Sequence, residues 1–135
     1  MIPESSLRAQ LPYTLRQLDL PALGELYRGK VRDNYSRGDR IVMITTDRVS
    51  AFDHVLGTIP FKGEVLSRLT RFWFDKVKDV APTHLVDAPD PSVMVVKRAR
   101  ALPVEIVVRG YITGSLWRDY QAGKAGAYGI AWPGR

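Results

Sequence analysis

The clearest periodic signal in the chain lies between positions 63 and 80. Val65, Leu66, Leu69, Phe72, Trp73 and Val77 recur at steps of three and four, while Arg68, Arg71, Asp75, Lys78 and Asp79 fill the other side. That period is helical, and it predicts an amphipathic helix over about Gly63–Val80, ended by Pro82. By this reading Phe72 and Trp73 pack into the core, and Phe74, off the stripe, faces a segment outside this sequence. Upstream the period changes. Residues 25–35 read as extended chain, Ser36-Arg37-Gly38-Asp39 as a turn, and Ile41–Thr46, β-branched and apolar, as a buried strand. Together they predict a β-hairpin with a bend or bulge at Gly29. Asp47 to Pro60 reads as loop with brief extended pieces. Val93–Val96 is a further strand, Val104–Ile112 a longer one, and Gly114-Ser115 opens a helix to Gln121. The weak helical spacing of Leu11, Leu15, Leu18 and Leu20 makes the start a short helix or an arm. The order hairpin, helix, strand, strand, helix points to an α+β fold with a mainly antiparallel sheet.

Composition narrows the chemistry. At 45% hydrophobic and 25% charged residues, the 135-residue chain resembles an ordinary globular domain. Cysteine is absent, which excludes a disulfide scaffold, a thiolate zinc site and a cysteine nucleophile. The two histidines, His54 and His84, do not by themselves make a usual zinc centre. No apolar run approaches the roughly 20 residues that cross a bilayer. The N-terminus lacks a basic start and a long apolar segment, so no signal peptide is expected and a cytoplasmic location is the default. The net charge of +6 favours anionic partners, either nucleic acid or phosphorylated and carboxylated metabolites.

Two segments carry candidate chemistry. Along the first strand, over 25–35, period-two alternation puts Arg28, Lys30 and Arg32 on one face and Tyr27, Gly29, Val31 and Tyr35 on the other. Three cations in a row suit phosphate, and Gly29, without a Cβ, permits close backbone approach beside Lys30. The same pattern equally describes a solvated edge strand protected by charge. In the strand over 104–112, Val104, Ile106 and Val108 point to the core and Glu105, Val107, Arg109 and Tyr111 point away. Glu105 and Arg109 then stand roughly 13 Å apart at about 3.3 Å per residue, and can line opposite ends of one elongated ligand. Thr113-Gly114-Ser115 before a helix offers an anion site, with Arg109 as a bidentate fork. Alternatively, Ser115 is a helix cap and Glu105–Arg109 a surface charge ladder. The loop Asp47–His54 mixes acids, a base and a hydroxyl; it suits binding or capping, and His54 reads as a surface histidine.

Four blocks occur in order: Arg28-Gly29-Lys30-Val31-Arg32-Asp33; Thr46-Asp47-Arg48-Val49-Ser50-Ala51-Phe52-Asp53; Lys62-Gly63-Glu64-Val65-Leu66 with Phe72-Trp73-Phe74; and Leu102-Pro103-Val104-Glu105 through Val108-Arg109-Gly110-Tyr111-Ile112-Thr113-Gly114-Ser115. This set resembles the SAICAR synthase family of purine synthesis. The resemblance implies ATP- and Mg²⁺-dependent ligation of L-aspartate to carboxyaminoimidazole ribotide, on a fold related to ATP-grasp and kinase-like architectures. It divides the chain into an arm (1–23), a β-rich subdomain covering the nucleotide (24–101) and the start of a central or C-terminal subdomain (102–135). It implies Gly29, Lys30 and Arg32 at the ATP phosphates, Lys97 to Leu102 along the adenine, and Arg109 and Ser115 at the ribotide phosphate. Asp47, Arg48 and Ser50 would lie near substrate, with Glu105 as the catalytic candidate. The family's acidic metal ligands lie downstream of anything in this sequence. The expectation is therefore an N-terminal part that holds no metal ligands, is inactive alone and has an apolar face able to form a homo-oligomer. No membrane or nucleic-acid partner is implied. The alternative is a basic nucleotide- or nucleic-acid-binding module; the bland reading is a remnant that packs against a partner.

Overall fold

The computed structural model describes residues 3–104, 106–108, 110–124, 126 and 129. The chain forms two compact units, 1–100 and 101–135. The first begins with helix α1 (Glu4–Gln10) and a 3₁₀ turn (Pro21–Leu23), then carries strands β1 (Glu25–Arg28), β2 (Arg32–Arg37), β3 (Arg40–Thr45), β4 (Arg48–Ala51) and β5 (His54–Thr58), helix α2 (Lys62–Val77), and strands β6 (Leu85–Asp90) and β7 (Val93–Lys97). The described part of the second contains helix α3 (Gly114–Gln121), on which the Trp117 and Tyr120 rings stack at 5.7 Å.

Five strands pair antiparallel in the order β1-β2-β3-β7-β6, and β4 and β5 form a separate hairpin. The strand predicted over 25–35 is two strands, because the chain turns back at Gly29–Val31. This changes the faces. Arg28 lies opposite Asp33 and shares a face with Tyr35, whereas Arg32 lies opposite Thr45 on the other face with Asn34 and Tyr27. Arg28, Lys30 and Arg32 therefore do not form one cationic row, and Tyr27 and Tyr35 do not share a face. The loop predicted over 47–60 is the β4–β5 hairpin. Its two-residue tip, Phe52-Asp53, has φ of 50° and 64°, a geometry in which glycine or asparagine is the usual signal. Strand β6 was not predicted; it is an edge strand with Pro89, two aspartates and irregular register, features that keep sheet edges from pairing further. The described residues between 101 and 113 form no strand, and Val104, Ile106 and Val108 are exposed rather than in a core.

Both faces of the sheet are covered. On one, the arm is held by Tyr35, whose hydroxyl donates to the Leu18 carbonyl and accepts from the Leu20 N–H, both at 3.0 Å. On the other lie Thr45, Met94 and Val96, all buried, and the Ser67 hydroxyl of α2 donates to Thr45 Oγ1 at 2.9 Å. The helix itself is reversed from expectation. Its inward line is Gly63, Leu66, Ser67, Thr70 and Phe74, and the Phe74 ring meets His84 at 5.5 Å. The large apolar residues point out: Val65, Phe72 and Trp73 are 59%, 51% and 56% exposed.

Small residues face the sheet because α2 lies very close to it. A Cβ on Gly63 would stand 2.2 Å from the Thr45 carbonyl oxygen, so only glycine fits. Alanine normally favours a helix interior over glycine by about 1 kcal/mol. Here the collision with backbone dominates, and Gly63→Ala is expected to lower unfolding free energy by about 1–3 kcal/mol. Urea denaturation checks this; a stabilised variant would mean the helix sits further out.

Candidate functional site

The turn at Gly29–Val31 is built from below. The Gly29 N–H donates to the Arg32 carbonyl at 2.8 Å, closing the turn. All three turn carbonyls are then taken by residues that follow β3. Arg48 donates to Gly29 O at 2.9 Å and Lys30 O at 3.1 Å, and Thr46 donates to Val31 O from its N–H at 3.0 Å and its hydroxyl at 2.9 Å. The Arg48 guanidinium also reaches the Arg16 carbonyl at 2.6 Å and Asp33 Oδ1 at 2.7 Å. The Asp33 side chain is fully buried, accepts the Leu18 N–H at 3.3 Å and lies 3.5 Å from Arg28 Nε. A buried carboxylate and guanidinium are tolerable only when paired and fully hydrogen-bonded, and this set meets that condition with backbone from two segments, the arm and the turn.

Asp47 works beside it. Its N–H donates to the Leu15 carbonyl and its Oδ2 accepts the Leu15 N–H, both at 2.8 Å, while Oδ1 accepts the Gly63 N–H at 2.9 Å. The α2 N-cap position, Phe61, is left-handed (φ 63°) and makes no side-chain cap. Asp47 therefore supplies from another segment the acceptor and negative charge that a helix start favours. Asp47 and Arg48, assigned near substrate by resemblance, are both buried and engaged in bonds within the protein. Asp33 was not assigned a role, although a lone acid after three spaced cations was the available signal.

Lys30 sits at the tip of the turn with its side chain mostly exposed, and its ammonium is ion-paired with Asp53 at the tip of the β4–β5 hairpin. Phe52 beside it is 94% exposed. The hydrogen bond and charge of Asp53 raise the Lys30 pKa above its ordinary value, and Lys30 lowers that of Asp53 for the same reasons. Two hairpin tips thus meet at one exposed charge pair, and the sequence reading, which placed Asp53 in a mixed-charge loop, gave it no site role.

The structure brings Gly29, Lys30, Asp47 and Arg48 into one neighbourhood, with Ser50 in β4, next to a bulge at Val49/Ser50. Arg32 starts β2 at the same end of the sheet. Lys97 pairs with Arg40 at the other end, about 13 Å along β7 from Val93 at about 3.3 Å per residue. Leu102 is exposed and belongs to the second unit, as does Ser115 in the first turn of α3, where Thr113 rather than Ser115 occupies the N-cap position. Glu105 and Arg109 lie outside the described residues. Among the described residues, no three His, Asp or Glu side chains converge in a way that fits a metal ion.

Comparison with known proteins follows this geometry. The SAICAR synthetase family matches residues 25–131. A phosphoribosylaminoimidazole-succinocarboxamide synthase of Legionella pneumophila (strain Lens) is 45% identical over 127 residues, covering 91% of this chain and 40% of that protein. One from Methylococcus capsulatus is 51% identical over 126 residues, covering 82% of this chain and 42% of the relative. The solved SAICAR synthase from Saccharomyces cerevisiae, complexed with SAICAR, superposes with a TM-score of 0.73 at 32% identity, over 80% of this chain and 44% of that one. A type-2 SAICAR synthetase in complex with ADP gives 0.63 at 26% identity, over 70% and 42%. The chain spans about 40% of the length of these curated relatives.

Removing either partner of Arg48–Asp33 leaves a buried charge alone. Arg48→Met and Asp33→Asn are each expected to cost about 3–5 kcal/mol, with the double variant far from additive; denaturant titration of the three variants reads this. The tip pair follows pH in opposite directions. Asp53, with its lowered pKa, holds the pair from above the ordinary carboxylate range and releases it as pH falls through its own value; Lys30, with its raised pKa, releases it only as pH rises beyond the ordinary lysine range. Asp53→Asn is expected to return the Lys30 pKa toward the ordinary value in an NMR titration, and an unchanged value would mean the tips do not meet in solution.

Proposed function

Because this chain belongs to the SAICAR synthetase family, we propose that it carries the nucleotide-covering part of an ATP-dependent ligase that joins L-aspartate to carboxyaminoimidazole ribotide, giving SAICAR. In this reading the ribotide carboxylate takes the γ-phosphoryl group of ATP, the aspartate amine attacks the acyl phosphate, an amide bond forms and phosphate leaves. Such phosphoryl transfer is catalysed by position and charge. Lys30 supplies the charge. Its ammonium stands at the end of a turn whose carbonyls are tied down to Arg48 and Thr46, so their negative ends are occupied elsewhere. Gly29 keeps the turn open to a polyphosphate; even a Cβ there would lie 3.3 Å from the Arg32 carbonyl. Arg32 adds positive charge at the same end of the sheet.

The other assignments belong to the same proposal. ATP lying along the strands would carry its adenine toward Lys97 and Leu102. Arg109 and Ser115 would hold the ribotide phosphate, with Glu105 in the cleft as catalytic candidate. Ser50 would contact substrate, and Asp47 and Arg48 would act through the turn and the start of α2, which they hold. Magnesium would screen the phosphate charge, and the described residues do not fit it. ATP, the ribotide and aspartate are then the partners, and the location is cytoplasmic. No helix among the described residues is long and apolar enough to cross a membrane.

The single observation that carries the reading is the clamped turn with Lys30 exposed at its tip. To test it, this chain is joined in one polypeptide to the part of the Legionella relative that it does not span, and ADP release is measured with ribotide and aspartate present. Aspartate-dependent turnover is expected. Lys30→Met should lower kcat/KM about 10- to 150-fold, the loss of one charged hydrogen-bond partner worth about 1.5–3 kcal/mol. A chimera that folds without turnover, or a Lys30→Met variant with unchanged kcat/KM, would overturn the proposal.

A further inference from the structure

Helix α2 presents the wrong side to solvent for a surface helix. Phe61, Val65, Leu69, Trp73 and Val77 follow one another at four-residue steps along its outward face and are all exposed. Phe72 stands beside Trp73, edge to face with ring centroids 5.4 Å apart. At the start of the helix the line runs into a mainly apolar groove of about 200 Å³ lined by Leu7, Gln10, Leu11, Ile59, Pro60 and Phe61. A helix of 16 residues is about 24 Å long, so groove and stripe together make a continuous apolar surface at least that long. Surfaces of that extent mark interaction sites.

The inward side rules out a simple rotation of the helix. Gly63 is fixed by its approach to the Thr45 carbonyl, and Ser67 is hydrogen-bonded to Thr45. The sheet is thus already packed by the small side of α2, and the large side is left for a second layer. Helices with one apolar and one small polar face pack between two layers. The rim also has a character. Lys76 Nζ lies 5.5 Å over the Phe72 ring, and Lys62 stands at the first position of the helix, while Arg68 is paired with Glu64 at 2.7 Å. Among the described residues, the rim charges nearest the stripe that make no ion pair, Lys62 and Lys76, are cationic.

The relatives indicate what completes the layer. They carry about 60% of their length beyond what this chain spans. We propose that the outward face of α2, from the Phe61 groove to Val77, seats that remaining part of the SAICAR synthetase polypeptide, through an apolar surface with an acidic rim. Trp73 and Phe72 are the central anchors, as large aromatic residues usually are. The inference rests on membership in the family and on packing, and needs no assumption about the reaction.

The test separates association from catalysis. This chain and the part of the Legionella relative that it does not span are produced separately, mixed without nucleotide or substrate, and followed by sedimentation velocity. A one-to-one complex is expected. Leu69→Glu combined with Trp73→Glu should weaken it at least 100-fold, while Asp87→Lys, on exposed β6, should leave it unchanged; circular dichroism confirms that each variant is folded. A second measurement covers the case in which the separate part does not fold. The chain has no cysteine, so Leu69→Cys places a thiol in the stripe. Its alkylation, mapped by peptide mass, should be fast in this chain alone and at least 10-fold slower in the joined polypeptide. Equal alkylation rates, a complex indifferent to the double substitution, or self-association of this chain through the same face would each overturn the proposal.

Discussion

The first unit is organised around one buried ion pair, Arg48 with Asp33. Its two charges come from separate strands, and the guanidinium spends its remaining donors on backbone carbonyls of the arm and of the Gly29–Val31 turn. Burying such a pair is unfavourable unless every donor is satisfied. The requirement therefore reaches outward and fixes the position of each segment that satisfies it. Asp47, one residue earlier, ties the same arm to the start of α2. Two adjacent residues thus hold arm, turn, hairpin and helix in register.

A site resting on such a frame combines a rigid base with a mobile end. The turn carbonyls are held by Arg48 and Thr46, but the Lys30 side chain is free to leave Asp53, since exposed ion pairs contribute little to stability. An arriving polyanion would compete with a carboxylate for an ammonium already near its place. The exposed hairpin tip, with two non-glycine residues in left-handed geometry, holds a conformation that such residues adopt at a cost. Strain of this kind is commonest where a segment must meet a ligand.

Much of the architecture was readable from the pattern of side chains. The β-branched apolar run in β3, the helical period of α2 and the order of elements all led to an antiparallel α+β fold. What failed did so for physical reasons. A period of two says that side chains alternate, not that the strand continues, and the reversal at Gly29–Val31 regrouped Arg28 and Arg32 on opposite faces. The β4–β5 hairpin was hidden because Phe52-Asp53 is a poor sequence for its turn. An apolar stripe says which side of a helix avoids water, but not whether the sheet at hand is what covers it; Gly63 and Ser67 took that place. In the candidate site, Lys30 and Gly29 were visible as a cation beside a glycine. The inward direction of Asp47 and Arg48 was not, because their partners, backbone atoms and the Asp33 carboxylate, lie far away in sequence.

The clamp under the turn grips main chain only. Arg48 and Thr46 read the oxygens of positions 29, 30 and 31, which every amino acid possesses. Folding therefore places no demand on the side chain at position 30. Another group could be displayed there on the same pedestal without loosening it.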